Sequence, residues 1–570
     1  MPSVTDTRAY QMFARLAPGE IERLRRFGEP RRYRAGEYLA KTGEVTPGMF
    51  ILRSGEVVIR ARDDDTAPIV THGPGSFTGE LAQLSGRPSL VDGIALSDVE
   101  ALMVPTQQLR SLLVEEAELG ERIMRALILR RVDLIERGAG GPVIVGRAGN
   151  ADVLRLENFL ARNAHPRQRL DPDQDAGAQA LLERFQIGPR ELPIVVCPNG
   201  SFLRNPSESD LARCLGMVES IDAARRYDVA IVGAGPAGLA AAVYAASEGL
   251  SVLVLECRSF GGQAGASSRI ENYLGFPTGI TGLALMVRAY NQAQKFGAEV
   301  AIPDEVVRLE CHPAELARFR LRLANQECVS ARAVLIACGA EYRRLGCSNL
   351  TEFEGSSVHY WASPLEARLC SDAEVALVGA GNSAGQAVVY LAGQAAKVSM
   401  FVRGTSLETS MSRYLIDRIA ALSNVAVHLH SEVSGVEGAG GKLEAVRWRA
   451  SDGAEETRSR ASQLFLFIGA DPNTAWLAES GVALDGNGFV RTGAEAGPGE
   501  RHPLETSRPG VFAIGDVRCG SVKRVAAAVG EGAQVVAALH AFLARDGEAP
   551  AAPRATYFAP ENRSDVSSAI

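Results

Sequence analysis

The spacing of apolar positions changes character along the chain. Up to about residue 137, short apolar stretches such as "GMFILRSGEVVIRARD" are broken by Gly and Pro, the rhythm of short strands in a small β-barrel or roll. From Leu119 to Arg137, "LGERIMRALILRRVDLIER" sets apolar residues three and four apart with Arg between them, which predicts one amphipathic helix. "GAGGP" (138–142) is turn-forming and reads as a linker. Residues 143–222 have the pattern of a small α/β unit: strand "PVIVGR", helix "ADVLRLENFLARN", helix "AGAQALLERFQI", strand "LPIVVCPNG" and a closing helix "SESDLARCLGM". From Tyr227 the texture turns to Ala-, Gly- and Val-rich runs, apolar on consecutive positions as strands buried on both faces are. Beyond Asp546 periodicity is lost, and 546–570 is expected to be a loose tail.

Two of the apolar strands run directly into glycine-rich turns. After Val229 to Val232 come Gly233, Gly235 and Gly238 in GxGxxG, with Pro236 and Ala237 opening a helix. The first Gly permits the tight turn, the second lets backbone approach a pyrophosphate, and the third lets helix pack on strand. The helix N-terminus offers unpaired N–H groups to phosphate oxygens. Glu256 ends the next strand, where a carboxylate takes ribose hydroxyls. In the second unit Gly379, Gly381 and Ala384 make GxGxxA around Asn382 and Ser383. Its second strand ends in Arg403, which suits a 2'-phosphate and hence NADPH over NADH. Two dinucleotide turns in one chain imply one resident and one exchanging cofactor, and a flavin with a nicotinamide is the pair that passes hydride ring to ring.

Length and composition narrow the classes further. At 570 residues the chain is too long for one core, and a hydrophobic fraction of 46% is ordinary for a globular protein. A net charge of -7 gives no support for a nucleic-acid partner. The apolar segment "VAAAVGEGAQVVAALHAFLA" contains Glu531, Gln534 and His540, which argues against a membrane span. No signal peptide is visible, so a cytoplasmic location is expected. The nine cysteines are scattered and contain no CxxC, so neither a disulfide framework nor a metal site is expected, and most should be small buried apolar residues.

From Tyr227 to Arg545 the chain resembles low-molecular-weight thioredoxin reductase. "GGQ" (Gly261 to Gln263) with "IENYLGFP" (Ile270 to Pro277) is similar to that family's flavin loop. "VLIACGA" and "LFLFIGADPNT" resemble the two crossings between its domains. "PGVFAIGDV" and "VKRVAAAVGEGA" resemble its late flavin motif and the helix that faces the isoalloxazine. The resemblance implies FAD contacts at Gly262, Gln263, Asn272, Gly515, Asp516, Arg524, Val525 and Ala526. It further implies an FAD domain over 225–344 and 466–545, with an NAD(P)H domain over 345–465 inserted into it, and a homodimer. One departure matters most: the family's redox cysteine pair falls on Ala362 and Leu365.

Residues 1–137 resemble cyclic-nucleotide-binding domains of catabolite-activator type. Gly79 and Glu80 match the ribose-binding pair, whereas the phosphate-binding Arg falls on Ser89, with Arg87 two positions early. Without that Arg a cyclic phosphate loses a charge-assisted contact, so cyclic AMP is expected to bind poorly, and a nucleotide-like effector at this domain stays open. Residues 143–222 resemble a thioredoxin fold, with Pro193 at its cis-proline and no CxxC at its redox helix. The fold class expected is therefore multidomain: a β-roll, an α/β thioredoxin-like domain and two Rossmann-like nucleotide-binding domains. The implied function is an FAD-dependent NAD(P)H oxidoreductase delivering electrons to an unknown small-molecule or protein acceptor. Two alternatives stay open, a disulfide reductase using Cys338, Cys347 or Cys370, and a flavin redox sensor with little turnover.

Overall fold

The computed structural model describes residues 4–545 apart from 62–67, 185, 189–190, 219–220, 223, 313–317, 451–452 and 454–455. The tail expected over 546–570 lies outside the described residues. The N-terminal unit is built from two antiparallel sheets. One orders Glu29–Tyr33, Val99–Pro105 and Gly48–Ser54; the other orders Tyr38–Ala40, Asp92–Ala95, Val57–Arg60 and Val70–His72. Phe50, Leu52, Val57 and Met103 fill the space between them. Helix Ala117–Arg137 closes the unit by burying the predicted stripe, including Leu119, Ile123 and Leu127. Gly138, at φ 66, ends it, donating its N–H back to Ile135 O.

The second unit is a four-stranded sheet in the order Phe202–Arg204, Ile194–Val196, Val143–Val145, Gln168–Leu170, antiparallel except for the last pair. The Leu192–Pro193 peptide is cis. Helix Ala151–Arg162 packs Val153, Leu156 and Phe159 on the sheet and is capped by Asn150, whose side chain accepts from Asp152 N and Val153 N. Here the cysteine expectation needs correction, because Cys197 and Cys214 form a disulfide. Cys197 follows the central strand and Cys214 ends helix Glu208–Cys214, and packing of helix on sheet brings their Cα atoms to 6.4 Å. That is bridging distance, reached by tertiary packing across 17 residues and not by a spacing motif.

In the flavin-type unit, parallel strands Glu299–Ala301, Val252–Leu255, Arg226–Val232 and Cys328–Ile336 lie side by side, and Val511–Ala513 joins Cys328–Ile336 from far along the chain. Asp228, fully buried, ties this sheet together, bonding Ser251 N and Oγ and pairing with Arg332 at 2.7 Å. Strands Ala340–Tyr342 and Ala470–Pro472 pair antiparallel and carry the chain out to a second sheet and back. That sheet is five parallel strands in the order Val358–His359, Gln463–Leu466, Glu374–Val378, Lys397–Phe401, Val425–His428. Helix Val525–Arg545 is long and apolar enough to cross a membrane. In the fold its apolarity has another use: it packs along helix Pro236–Ser247, so closely that a Cβ on Gly532 would lie 2.6 Å from Ala237 O.

Candidate functional site

Each glycine turn sits at the C-terminal end of a parallel strand and hands the chain to an apolar helix. At the first turn, Gly233 has φ +112 and a Cβ there would meet Ala337 O at 2.3 Å; a Cβ on Gly238 would meet Gly233 O at 1.9 Å. Protein packing alone requires both glycines. Gly235 is different. It is the helix N-cap in extended backbone, φ -73 and ψ -176, open to any residue, and its Cβ would have only Gly262 Cα within 4 Å, at 3.9 Å. Gly381 is its counterpart in the second turn, at φ -83 and ψ 178 with nothing within 4 Å. The protein leaves open space at these two N-caps, where the backbone N–H groups of a helix start can take phosphate oxygens. The residues present therefore fit two dinucleotides.

The first turn opens on a cleft of about 790 Å³. Of the flavin residues expected from sequence, all but Gly238 line it, from Gly233, Gly235, Pro236, Ala237 and Glu256 to Gly262, Gln263, Asn272, Gly515, Asp516, Arg524, Val525 and Ala526. Glu256 is fixed by accepting from Ala234 N at 2.9 Å and Arg258 N at 3.2 Å. Gln263 donates to Ala340 O at the outgoing crossing. Burial raises the Asp516 carboxyl, and Lys523, whose Nζ donates to Asp516 O at 2.6 Å, opposes that shift. Of the coenzyme residues, Asn382 and Ser383 line the same cleft, while Gly379, Gly381, Ala384 and the exposed Arg403 do not. Asn382 also braces its own turn, accepting from Ser412 N at 2.7 Å. Sequence reasoning missed Arg162, Cys257 and Tyr342, which line the cleft from outside the turn motifs. No spacing signal marks them.

The segment in which the family carries its cysteine pair presents other chemistry to this cleft. Ala362 is buried in the apolar core under helix Asn382–Ala392, and Leu365 is half-buried in helix Pro364–Leu369. Tyr360 and Trp361 line the cleft instead. Glu366, buried, accepts from Asn158 Nδ2 at 2.9 Å and Trp361 Nε1 at 3.1 Å, and closes a capping box with Ser363. Among the described cysteines, Cys257 and Cys338 line the cleft. Burial pushes Cys338 up to about 12, and burial with neighbouring Glu256 raises Cys257. Cys370 is pushed up to about 12 by burial and then by Glu366, and Cys347 is raised by burial. None is poised as a thiolate.

A separate cavity of about 60 Å³ lies inside the β-roll. Gly79, Glu80 and Ser89 line it, and Arg87 does not. Arg87 turns outward, its guanidinium 6.0 Å from the Tyr290 ring of the flavin-type unit. Glu80 is paired with Arg131 at 2.6 Å, and Ser89 Oγ donates to Val91 O at 2.7 Å. The remaining wall is largely apolar, with buried Arg130 bonded to Met12 O and Gly79 O.

Comparison with known proteins finds relatives of both the N-terminal and the dinucleotide-binding parts of the chain. Residues 30–116 match the cyclic nucleotide-binding domain. The chain is 32% identical over 308 residues to a thioredoxin reductase of Listeria monocytogenes, covering 54% of this chain and 90% of that one. It is 33% identical to NADPH-dependent thioredoxin reductase 3 of Arabidopsis thaliana, covering 55% of this chain and 57% of that one. Among solved structures, T. acidophilum thioredoxin reductase superposes with a TM-score of 0.51 at 28% identity, over 57% of this chain and all of that one. The Lactococcus lactis thioredoxin reductase in its FR conformation does so at 0.52 and 26%, over 56% of this chain and 99% of that one. Residues 227–532, more than half the chain, match the model for pyridine nucleotide-disulphide oxidoreductases, so the chain belongs to that family, as an oxidoreductase of thioredoxin reductase type.

Proposed function

We infer that this protein is an FAD-dependent NAD(P)H oxidoreductase whose electrons leave the flavin for an acceptor other than a dithiol of its own. FAD supplies the centre that takes hydride from the nicotinamide and releases electrons onward. The protein's part is binding geometry: two helix N-termini reach one cleft, Glu256 would take the hydroxyls of the first ribose, and Asp516, held by Lys523, would meet the ribityl chain. The observation that carries the reading is Ala362, a buried methyl where the resemblance places a redox sulfur, with Leu365 at the other. A dithiol relay needs one thiol to attack and one to resolve, and these side chains can do neither. The 143–222 unit supports the same conclusion. Its strand order favours a thioredoxin-like reading, yet the helix from Ala151 opens without cysteine.

One observation favours a disulfide reductase instead, the Cys197–Cys214 disulfide. It joins the end of a strand to the end of a helix, and neither cysteine lines the cleft. Rapid mixing of the yellow holoprotein with NADPH and then with a panel of quinones, ferredoxin and thioredoxin tests the proposal. Flavin bleaching followed by reoxidation with a non-thiol acceptor is expected. Reoxidation by thioredoxin alone, lost in Cys197→Ser, would establish the disulfide reductase. Bleaching with no turnover on any acceptor would favour the redox sensor.

A further inference from the structure

We propose that Arg162, which lies outside the family-matched segment, binds the pyrophosphate of the flavin dinucleotide, so that the 143–222 unit completes a cofactor site belonging to its neighbour. Arg162 is the last residue of helix Ala151–Arg162, and its side chain crosses into the flavin-type unit. One terminal nitrogen donates to Gly262 O at 2.8 Å. Gly262 in turn lies against Gly235, since a Cβ on Gly262 would be 3.2 Å from Gly235 Cα. The guanidinium is thus anchored on the residue that abuts the N-cap of the first dinucleotide turn. Arg162 lines the cleft there, 5.7 Å from the Trp361 ring centre.

The charges around Arg162 call for an anion. Its Nε is shut off from solvent and has no hydrogen-bond partner. The nearby carboxylates are committed elsewhere: Glu208 takes Arg258 in a two-nitrogen fork, at 2.9 and 2.7 Å, and Glu256 accepts from the Ala234 and Arg258 backbone. Arg258 adds repulsion, and burial together with that charge lowers the Arg162 pKa. Glu256 and Glu208 offset this only in part from a distance, with no ion pair to Arg162; a buried guanidinium so placed is costly, and a planar fork matches phosphate oxygens. A helix N-terminus supplies only about half a positive charge, against roughly two negative charges on a pyrophosphate. Arg162 adds one full positive charge toward the difference. The cleft also serves the pyridine nucleotide, whose diphosphate has the same chemistry. The flavin is favoured because Gly262, which holds Arg162, abuts Gly235 at the N-cap of the first turn, whereas Gly381 caps the second.

The same helix fixes the unit to both partners. Asn163, just beyond it, donates to Arg258 O at 3.1 Å, and Asn158 donates to Glu366 of the second dinucleotide unit. Cofactor binding and docking of the unit are therefore linked, each favouring the other.

The test titrates full-length apoprotein with FAD, ADP and adenosine, comparing wild type, Arg162→Met and Arg162→Lys, and titrates each holoprotein with NADPH. In Arg162→Met, FAD and ADP should weaken together by about 10- to 100-fold, the loss of a charged hydrogen bond. Adenosine, which lacks the pyrophosphate, should bind as before, and Arg162→Lys should recover part of the loss. Unchanged FAD and ADP affinity in Arg162→Met would overturn the proposal. So would an equal loss for adenosine, which would show a distorted turn, or a loss confined to NADPH, which would assign Arg162 to the other dinucleotide. Failure of wild-type protein to take up FAD would refute the flavin assignment itself, a separate result.

Discussion

Gly381→Ala and Gly238→Ala add the same methyl to equivalent turns and should have opposite consequences. At Gly238 the new Cβ would sit 1.9 Å from Gly233 O and 3.3 Å from Ile231 Cγ2, so helix Pro236–Ser247 must retreat from its strand. Overpacking of this kind costs about 1–3 kcal/mol. That cost should appear as a lower melting temperature and, because the N-cap moves with the helix, as weaker FAD. At Gly381 no atom lies within 4 Å and the backbone suits alanine. The protein should lose only the N-cap difference between Gly and Ala, about 0.5–1 kcal/mol. The methyl instead takes space from the coenzyme. If it opposes a pyrophosphate as a misfit of about 1–3 kcal/mol, NADPH affinity falls about 5- to 150-fold. Thermal melts of the holoproteins, with NADPH affinity from the concentration dependence of flavin bleaching, separate the two. Unchanged NADPH affinity in Gly381→Ala would refute the argument that open space at that N-cap is coenzyme space. A melting temperature lowered as far as in Gly238→Ala would also contradict it.

Arg403 lies exposed just past strand Lys397–Phe401, and Arg403→Ala should weaken NADPH by about 1.5–3 kcal/mol while sparing NADH; equal losses would show that it does not read the 2'-phosphate. Cyclic AMP should bind the β-roll poorly, since Ser89 is tied to Val91 O and Arg87 faces Tyr290, so calorimetry should find no micromolar site and Arg87→Ala should change nothing there. Asp304 has one carboxylate oxygen without a partner, and burial, with Glu327 nearby, pushes its pKa up to about 6. A raised carboxyl pKa means that the native state holds the proton more tightly than the unfolded chain, so stability is lost as pH rises from about 4 through about 6. Asp304→Asn should accordingly raise the melting temperature at pH 7 and leave it unchanged near pH 4, and equal gains at both would refute the assignment.

The dinucleotide turns are legible in sequence because their chemistry is local. Strand, glycines and helix adjoin in the chain, and the conformations that demand glycine follow from positions a few residues apart. The apolar C-terminal helix is legible for a related reason. Its polar residues argue against a membrane, and the fold gives them work: Glu531 accepts from Gly515 N at 2.6 Å and His540 meets Glu248 at 2.9 Å. What stays hidden depends on distant parts of the chain. Cys197 meets Cys214 through packing of a helix on a sheet. Arg87 lies two positions from the phosphate position of the cassette, and a neighbouring unit draws it out of the roll. Arg162 looks like any basic residue near a helix end until the adjoining unit's cleft is placed around it.

The central claim is that electrons leave the flavin without passing through a cysteine pair of this chain. Its most direct test is NADPH oxidation by the holoprotein before and after exhaustive alkylation under reducing, native conditions, with an artificial quinone and with thioredoxin as alternative acceptors. The account predicts quinone-dependent turnover that survives alkylation and no reduction of thioredoxin in either state. Thioredoxin reduction at ordinary enzyme rates, about 1–10³ per second, abolished by alkylation, would contradict it.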